Sequence, residues 1–486
     1  MAIPAVTLTR KDPGTVKAVP GSVIPLVAGV SSSGTVGSLR QYSDEQALID
    51  AYGYGPLVNA AIRCLREGGA PVVVCRLTGA VAAANGTVTQ TGAGPLPTLS
   101  GTPNDRYDVK IEIMLGGAVA TSRFRYSLDN GLTYSSTRAT VASFVIPNTG
   151  ITVAFTAGTY VLGEVYSFTS HPAYVDGTDL TALQTAILAS PRLWDELLIA
   201  GEGTATGATQ ATLFAGIASM LTALETAKKY RGLYAILSAG REAKAATQTA
   251  FASSTNQAIS VAWGTATRPA PRTFEGRGFY EEPVGHTVAA RISRELISTD
   301  QSRTDSPITD IPPNDDGSPR ISHDEYRQAD MDDLGFTTLR TWPGEPGVFV
   351  TNARIKSAFG SDFEFSQHAV IFNRARWIAY KALVQIVGRN VRTNPNDVPN
   401  AGDTGTIAEI DAVGIDSFVT DRLAASLLRE QNKDGFAGHV DGVAWTTDRA
   451  YDTAAARGVQ GKVEIVGLIP IKSIIGTVGY VRQLGG

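Results

Sequence analysis

The pattern of apolar and polar positions divides the chain into segments with different periodicities. Near the start, residues 23–29 and 72–77 form two short apolar runs, which predict buried strands. Between them, residues 43–65 show helical periodicity, with Asp44 and Glu45 in the first turn and a pair of glycines after the end. The order of strand, helix and strand predicts a small α/β unit.

Residues 80–170 change to an alternation of period two, which is typical of half-buried strands. The alternation is clear at residues 109–113 and 124–128, and it continues at 151–155 and 160–168. The tripeptide Asp-Asn-Gly at 129–131 predicts a hairpin turn, with the return strand starting at residues 132–134. This segment therefore predicts a β-sandwich-like domain inserted between α/β segments.

Residues 175–300 alternate between predicted strands and predicted helices. The strands are expected at 196–200, 232–238 and 258–263, and the helices at 211–230, 242–253 and 283–296. In the first helix, one stripe contains Phe214, Ile217, Leu221, Leu224 and Tyr230, as expected for a helix that packs on a sheet. The pattern predicts a doubly wound, Rossmann-like α/β domain. A stretch rich in Asp and Pro follows at 300–317 and predicts a long exposed loop.

The last third of the chain has two helical segments followed by strands. Apolar residues recur at helical spacing over 369–391, and a second helix is predicted over 406–428. Strands are then predicted at 462–470 and 474–481, and the edge of the last strand is left uncovered. At the other end, residues 1–22 carry three prolines around a short alternating stretch. They predict an extended arm that supplies one strand but no core.

Composition narrows the class of protein. The chain has 486 residues, of which 43% are hydrophobic and 18% charged, so it is long enough for several packed domains and is not disordered as a whole. Its net charge of −4 provides no general attraction to nucleic acid or to anionic membranes. The only cysteines, Cys64 and Cys75, are too few for a disulfide framework. Because a signal peptide and a long apolar span are both missing, we expect a protein of the cytoplasm, or one released by lysis.

Two glycine-rich segments partly match nucleotide-binding motifs. Gly201-Glu202-Gly203 follows an apolar strand, but Thr206 stands where a dinucleotide-binding turn needs its third glycine, and Gly207 comes one residue late. Residues 29–35 have the glycine spacing of a phosphate loop, with a threonine in place of the lysine. Both segments are interpreted as ordinary loops.

Metal-binding and catalytic motifs are also incomplete. Residues 314–317 (NDDG) resemble the middle of an EF-hand loop, but Pro312 and His323 occupy two positions that need ligands. Asp324 and Glu325 predict the start of a helix. No HExxH or GxSxG motif is present, so we expect no catalytic, cofactor or metal site. The five histidines are scattered, at His171, His286, His323, His368 and His439.

Three groups of motifs, taken in their order along the chain, resemble one family. The first group is residues 4–6 (PAV), 53–57 (GYGPL) and 68–76 (GGAPVVVCR). The second, inside the β-rich insertion, is 127–131 (SLDNG) and 158–163 (GTYVLG). The third runs from 349–352 (FVTN), through the helix with Arg374-Ala375-Arg376, to 476–481 (GTVGYV). In this order they resemble the tail sheath proteins of contractile bacteriophages, and the resemblance covers most of the chain.

The resemblance implies a structural subunit, not an enzyme. Such subunits stack helically as six-membered rings around a tail tube, and the sheath contracts to drive the tube through the host cell envelope during genome delivery. The implied partners are other copies of the chain, the tail tube protein, and the baseplate and tail terminator proteins. The resemblance implies no cofactor, no direct contact with nucleic acid and no stable membrane insertion. The implied location is the virion, after assembly in the host bacterial cytoplasm.

The resemblance also implies that strands pass between subunits. The predicted donor residues are in two arms: Val6, Thr7 and Leu8, and Val478, Gly479, Tyr480 and Val481. We expect an arm (1–22), an α/β segment (23–79), an inserted β-rich surface domain (80–172), an α/β domain with the acidic loop (173–345), a C-terminal α+β sheath domain (346–470) completed by neighbouring strands, and a terminal strand (471–486).

Three other functions remain open. The nearest is the sheath of a non-phage contractile injection system, which the sequence does not separate from a phage tail. A nucleotide-dependent enzyme using the Rossmann-like region would have a saturable nucleotide site and form a small closed oligomer. An adhesin or glycan-binding module would bind its ligand through residues 80–170.

Overall fold

A computed structural model of the 486-residue chain describes residues 23–68, 71–192, 194–201, 207–225, 231–239, 243–358, 360–394, 405–431 and 438–468. The chain divides into two compact units, Met1–Tyr380 and Lys381–Gly486. The predicted arms at 1–22 and 471–486, and with them all seven predicted donor residues, lie outside the described residues.

The first segment confirms two predicted strands and corrects the helix between them. It contains β1 (Pro25–Val30), β2 (Leu39–Tyr42), α1 (Glu45–Tyr52), α2 (Pro56–Arg63) and β3 (Val72–Leu77), with one π-helical turn after α2. Asp44 is the N-cap of α1 and accepts a hydrogen bond from the Ala47 amide at 2.7 Å. The single helix predicted over 43–65 is two helices, because Gly53 and Gly55 have φ values of 69° and 127°.

The next segment is all β, as the period-two alternation predicts. Tyr107, Val109, Ile111 and Ile113 are buried, while the residues between them are partly exposed. Two predicted details are wrong. Residues 132–134 form no strand, because Asp129 accepts hydrogen bonds from the backbone and hydroxyl of Thr133 and holds a wider loop. Residues 161–164 also interrupt the strand predicted over 160–168. The strands are β4 (Ala84–Asn85), β5 (Thr89–Thr91), β6 (Thr98–Gly101), β7 (Tyr107–Leu115), β8 (Gly117–Ala118), β9 (Arg123–Ser127), β10 (Arg138–Ala139), β11 (Phe144–Val145), β12 (Ile151–Ala154), β13 (Thr159–Tyr160) and β14 (Val165–His171).

The third segment confirms the predicted alternation of strands and helices. Four residues of the predicted apolar stripe, all on α4, are buried in the core, and Tyr230 lies outside the described residues. The sequence did not predict α3 or the hairpin of β18 and β19. The elements are α3 (Gly177–Ala189), β15 (Glu196–Ile199), α4 (Gly207–Glu225), β16 (Tyr234–Ala239), α5 (Lys244–Ala250), β17 (Ile259–Trp263), β18 (Thr265–Phe274), β19 (Arg277–Pro283) and α6 (Val284–Arg294).

Residues 295–335 form a long loop, as the polar composition predicts, and Asp305, Asp315 and Asp316 are exposed in it. The helix predicted to start at 324–325 is absent from this described stretch. Instead, the Asp324 side chain accepts from the amides of Tyr326 and Thr341, so these acidic residues organise a loop. Three short strands follow the loop: β20 (Phe336–Thr337), β21 (Leu339–Trp342) and β22 (Glu345–Val350).

The largest sheet has seven strands in the order β2-β3-β1-β15-β16-β17-β20, all parallel except the edge strand β2. On one face, Leu26, Ala28 and Leu197 pack in a core with residues of α3 and α4. Helices α2 and α6 contact the same strands and cover the other face, onto which Val27 projects by alternation. The chain is thus a mixed α/β protein with several sheets.

The last helix that begins in the first unit is α7 (Ser366–Val384), which ends before the predicted residue 391. The second unit contains α8 (Glu409–Leu427), β23 (Val440–Thr447), α9 (Thr453–Ala456) and β24 (Gly461–Gly467). Helix α8 and strand β24 confirm two predictions, while β23 was not predicted. In the described parts of the chain, no helix combines the length and apolarity needed to span a membrane.

Candidate assembly interface

In the second unit, β23 and β24 form an antiparallel pair whose two outer edges differ. Trp445 lies opposite Val463, and Thr447 lies opposite Gly461. The backbone amide of Trp445 points away from β24, since it donates to Thr420 Oγ1 on α8 at 3.0 Å. The backbone amide of Thr447 likewise donates to Asp416 Oδ1 on α8 at 2.7 Å. Two side chains of α8 therefore occupy the outer edge of β23.

The outer edge of β24 carries backbone groups that face away from β23. In an antiparallel pair, the backbone N–H and C=O groups of two directly opposite residues either all point toward the partner strand or all point away from it. The two cases alternate along the strands. Because Trp445 points outward, the N–H and C=O of Val463 also point outward, and those of Ile465 follow by alternation. The Asp448 amide donates to the Gln460 carbonyl oxygen between the two strands at 2.8 Å, which agrees with this alternation of inward and outward backbone groups. Among the described strands, β24 pairs with β23 alone, so its outer edge can accept another strand.

The two faces of the pair also differ. Trp445 and Thr447 are buried on one face, with Val463 half-buried beside them. On the opposite face Lys462 and Glu464 are exposed, and their side chains form an ion pair at 2.7 Å. Hydrogen bonding to Lys462 lowers the pKa of Glu464. The pair is therefore amphipathic, and its charged face lies toward solvent.

Arg449, just after β23, ties that strand to α8. Its guanidinium lies 2.7 Å from Asp416 and 3.1 Å from Glu409. Hydrogen bonds from Arg449 lower the pKa of Glu409, and the same bonds raise the pKa of Arg449. Both groups thus stay charged at neutral pH. Asp416 bridges Arg449 and the Thr447 amide, which keeps the outer edge of β23 covered.

Sequence reasoning missed the residues that make the pair asymmetric. Residues 443–447 (VAWTT) carry a signal for β23, since valine, tryptophan and threonine are enriched in strands. No sequence signal identifies Thr420 and Asp416 as partners of backbone amides more than twenty residues away, because that role depends on how α8 packs.

The glycine-rich segments do not form a complete nucleotide site in the described residues. Gly201 has a φ of 97°, and its amide donates to His286 Nε2 at 3.0 Å; Glu202, Gly203 and Thr206 lie outside the described residues. In the segment at 29–35, Ser32 Oγ accepts from the Tyr54 amide at 2.9 Å. That side chain therefore stabilises the loop after β1.

The candidate metal ligands and thiols are dispersed or buried. Within the described residues, no group of three His, Cys, Asp or Glu side chains is placed to hold a metal ion. The turn at 314–317 is closed by a hydrogen bond from Asn314 N to Ser318 O at 2.6 Å. Both cysteines are buried, and burial raises the pKa of the Cys75 thiol to about 12. Burial also lowers the pKa of His286 to about 4.

The histidines belong to separate local structures. His323 Nε2 lies 2.8 Å from Glu325 Oε2, and His368 Nδ1 lies 2.9 Å from the carbonyl oxygen of Asp362. His171 is partly exposed in the first unit, whereas His439 is buried in the second. The described histidines thus provide no shared site.

The comparisons with known proteins identify the fold. No protein-family model matches the chain, and no curated protein matches it in sequence. Among solved structures, a chain of the anti-feeding prophage (AFP) baseplate is similar over 100% of both chains, with 11% identity and a TM-score of 0.51. A chain of the PVC sheath complex, an extracellular contractile injection system in its contracted state, is similar over 99% of this chain and 98% of its own, with 10% identity and a TM-score of 0.50. The resemblance predicted from the sequence is thus confirmed at the level of the fold: the chain has the fold of contractile sheath proteins.

Proposed function

We propose that the chain is the structural subunit of a contractile tail sheath. It polymerises around a tail tube and contracts to drive the tube through a cell envelope, which in a phage would accompany genome delivery. The observation that carries this proposal is the asymmetry of β23 and β24. One outer edge is occupied by α8, and the other has outward backbone groups at Val463 and Ile465.

This asymmetry suits a directional polymer. A strand added to β24 from another copy makes main-chain hydrogen bonds, each worth about 0.5–1.5 kcal/mol net. Because β23 is covered, strand addition at this pair occurs on one side only. A contact between two different surfaces repeats from copy to copy, and it gives a ring where the rotation between copies closes and an open stack where it does not. The proposed donors are Val6 to Leu8 and Val478 to Val481.

The remaining partners and the domain division belong to the same proposal. We assign six-membered rings stacked helically, contacts with a tail tube protein, a baseplate and a tail terminator, and a location in the virion after assembly in a bacterial cytoplasm. The divisions at residues 22, 79, 172, 345 and 470 are proposed with it. The β-rich segment is the proposed surface domain, and β23 with β24 is the part of the C-terminal domain that neighbours complete.

A non-phage contractile injection system is the second candidate, and the comparisons are equally compatible with it. The similar chains belong to the AFP baseplate and to an extracellular contractile injection system. The subunit would work in the same way, but the tube would deliver a cargo other than a phage genome. The neighbouring genes discriminate: capsid and terminase genes indicate a phage. An enzyme using the Rossmann-like region is a third candidate, and saturable nucleotide binding by a small closed oligomer would favour it.

The proposed edge is tested by changing one outward amide of β24. Val463→Pro removes the amide hydrogen that points away from β23, while the inward amides of Lys462 and Glu464 remain. Val463→Ala is the matched control, because it loses the same side chain but keeps the amide. We expect the proline variant to fold and to lose tube formation, and the alanine variant to form tubes.

Negative-stain microscopy and light scattering measure assembly, and circular dichroism measures folding. Normal tubes from a folded Val463→Pro variant would show that β24 accepts no strand there. If the wild-type chain itself formed no tubes or sleeves at high concentration, the sheath function would be contradicted.

A further inference from the structure

One end of the β-rich segment, where β5 and β7 end and β9 and β14 begin, carries exposed apolar side chains. Four of them are at least half exposed, and we call these four the apolar tip: Leu96 (51%), Leu115 (50%), Val161 (52%) and Leu162 (66%). A single exposed Leu or Val is ordinary, but a cluster of them marks a surface that meets another molecule or a membrane. The apolar tip is therefore an interaction surface.

The residues of the apolar tip lie on three loops that pack against one another. The loops of Leu115 and Leu162 are so close that a Cβ atom on Gly116 would lie 3.3 Å from the Leu162 amide nitrogen. The third loop is joined to them because Thr156 Oγ1 donates to the Leu96 carbonyl oxygen at 3.0 Å. The exposed side chains therefore form one patch, not isolated positions.

The buried carboxylate of Glu164 fixes these loops from beneath. It accepts hydrogen bonds from the amides of Gly94 and Val161, the latter at 3.2 Å, and from the Tyr166 hydroxyl at 2.9 Å. Burial alone raises the pKa of Glu164, but these hydrogen bonds lower it below its ordinary value. The carboxylate is thus satisfied inside the segment, and the tip is held in one conformation before it binds anything.

The surface charge around the apolar tip is either absent or positive. Its loops contain no charged residue over three ranges: 92–97, 113–120 and 155–163. Arg123 on β9 lies directly opposite Leu115, is exposed, and forms no ion pair with a described residue. The nearby carboxylate of Glu112 is paired with Arg125 at 2.6 Å. An apolar patch with an unpaired cation beside it is complementary to an anionic lipid surface.

We propose that the apolar tip binds reversibly to an anionic lipid surface. Leu115, Val161 and Leu162 enter the boundary between headgroups and acyl chains, and the Arg123 guanidinium contacts a headgroup phosphate. The loop backbone stays at this boundary, because unpaired N–H and C=O groups are not tolerated in the hydrocarbon. Each tip is a weak anchor by itself, and a polymer gathers many of them. This contact goes beyond the proposed sheath function and does not depend on it, because a single folded chain carries the whole tip.

The test is flotation of the full chain with lipid vesicles in a density gradient, where lipid-free tubes stay at the bottom. One set of vesicles contains phosphatidylcholine alone, and the other also contains phosphatidylglycerol. We expect the chain to float with the anionic vesicles. The double variant Leu115→Ser/Leu162→Ser should lower the affinity at least about tenfold, since two apolar side chains are lost from the contact. Arg123→Gln should lower the affinity for anionic vesicles about fivefold, as expected for one basic residue near the surface.

The matched control is Leu334→Ser/Val413→Ser, which changes two exposed apolar residues outside the tip and should float like the wild type. Circular dichroism verifies that all variants are folded. Absence of flotation with both kinds of vesicle would overturn the proposal. A tip variant that floats normally but no longer forms tubes would also overturn it, since the tip would then contact another copy of the chain. Flotation of a folded wild-type chain that forms no tubes would contradict only the sheath function.

Discussion

The carboxylate of Glu282 is fully buried and joins α2, β18, β19 and α6. It accepts from Arg63 Nε at 2.8 Å, from the Tyr280 hydroxyl at 2.7 Å and from Thr287 Oγ1 at 3.0 Å. Burial by itself raises the pKa of Glu282, but the charge of Arg63 and then of Arg268 lowers it to about 2. The carboxylate therefore stays charged in the folded chain and balances two buried guanidinium groups.

We predict that Glu282→Gln destabilises the chain by about 1.5–3 kcal/mol at pH 7, because it removes the one fully buried counter-charge of Arg63 and Arg268. These arginines then keep only the partly exposed Glu67 and Asp310 as partners. Since the folded pKa lies below the ordinary value of 4.5, the wild-type stabilisation is complete above about pH 4.5 and is lost as the pH falls toward 2. Urea unfolding at several pH values measures both effects. The exposed Glu464→Gln is the control, and an equally stable Glu282→Gln would contradict the prediction.

Glu196, at the start of β15, is also a buried carboxyl, but its pKa is raised and not lowered. Neither of its oxygens has a hydrogen-bond partner, and burial, with a smaller effect from Asp195, raises its pKa well above the ordinary value. The folded state therefore holds a proton that the unfolded state releases, so stability falls as the pH rises above 4.5. We expect Glu196→Gln to remove this pH dependence. In the wild type, the fall in the free energy of unfolding amounts to about 1.4 kcal/mol for each unit by which the pKa is raised. Thermal midpoints at pH 5 and pH 8 test it, with the exposed Glu345→Gln as control; parallel pH profiles for wild type and Glu196→Gln would refute it.

Among the elements, the hairpin of β18 and β19 links the large sheet to the β-rich segment. The two strands form a separate sheet, and residues at the tip of the hairpin contact the β-rich segment, where Glu275 pairs with Arg138 and Arg277 pairs with Asp105. The Arg277 guanidinium lies 2.6 Å from Asp105, both buried, and the Leu128 amide donates to the Gly276 carbonyl oxygen at 2.7 Å. Phe274 packs edge-on against Tyr107, with ring centroids 6.4 Å apart.

These contacts sharpen the prediction for the proposed surface domain. Replacing residues 80–172 with a short Gly/Ser linker should leave a soluble chain that still assembles, provided that Phe274→Ser and Arg277→Ser remove the groups exposed at the hairpin tip. With the tip unchanged, we expect aggregation. Size-exclusion chromatography and electron microscopy distinguish the two variants. A failure of the tip-modified chain to fold would show that residues 80–172 are part of the core.

For the whole molecule, the central prediction is assembly without a cofactor. We expect the purified chain to form long hollow tubes or sleeves, because open contacts between different surfaces need not close. Leu8→Pro and Val478→Pro should each give folded monomers with nearly unchanged thermal unfolding and no tubes. Ala substitution of His323, Asp315 or Gly203 should leave assembly intact. Normal tubes from both proline variants, with assembly lost in one of the loop variants, would contradict the mechanical interpretation.

Local patterns determined much of the secondary structure. The apolar run at Val72–Leu77 and the helical spacing over Glu409–Leu427 each specify an element without reference to the rest of the chain. The resemblance of ordered motifs to sheath proteins also needed only the sequence. The sequence pattern did not predict the break between α1 and α2 at Gly53 and Gly55, because an apolar helical pattern continues on both sides of these glycines.

Only the tertiary structure decided which backbone edges and charges are paired. Thr420 and Asp416 cover β23 because α8 packs along it, and that leaves β24 as the edge that can accept a strand. Arg63 and Glu282 are separated by 219 residues, so no local pattern relates them. The physical reason is common to both cases: periodicity reports which side of an element is apolar, whereas hydrogen bonds and ion pairs depend on which distant element packs beside it.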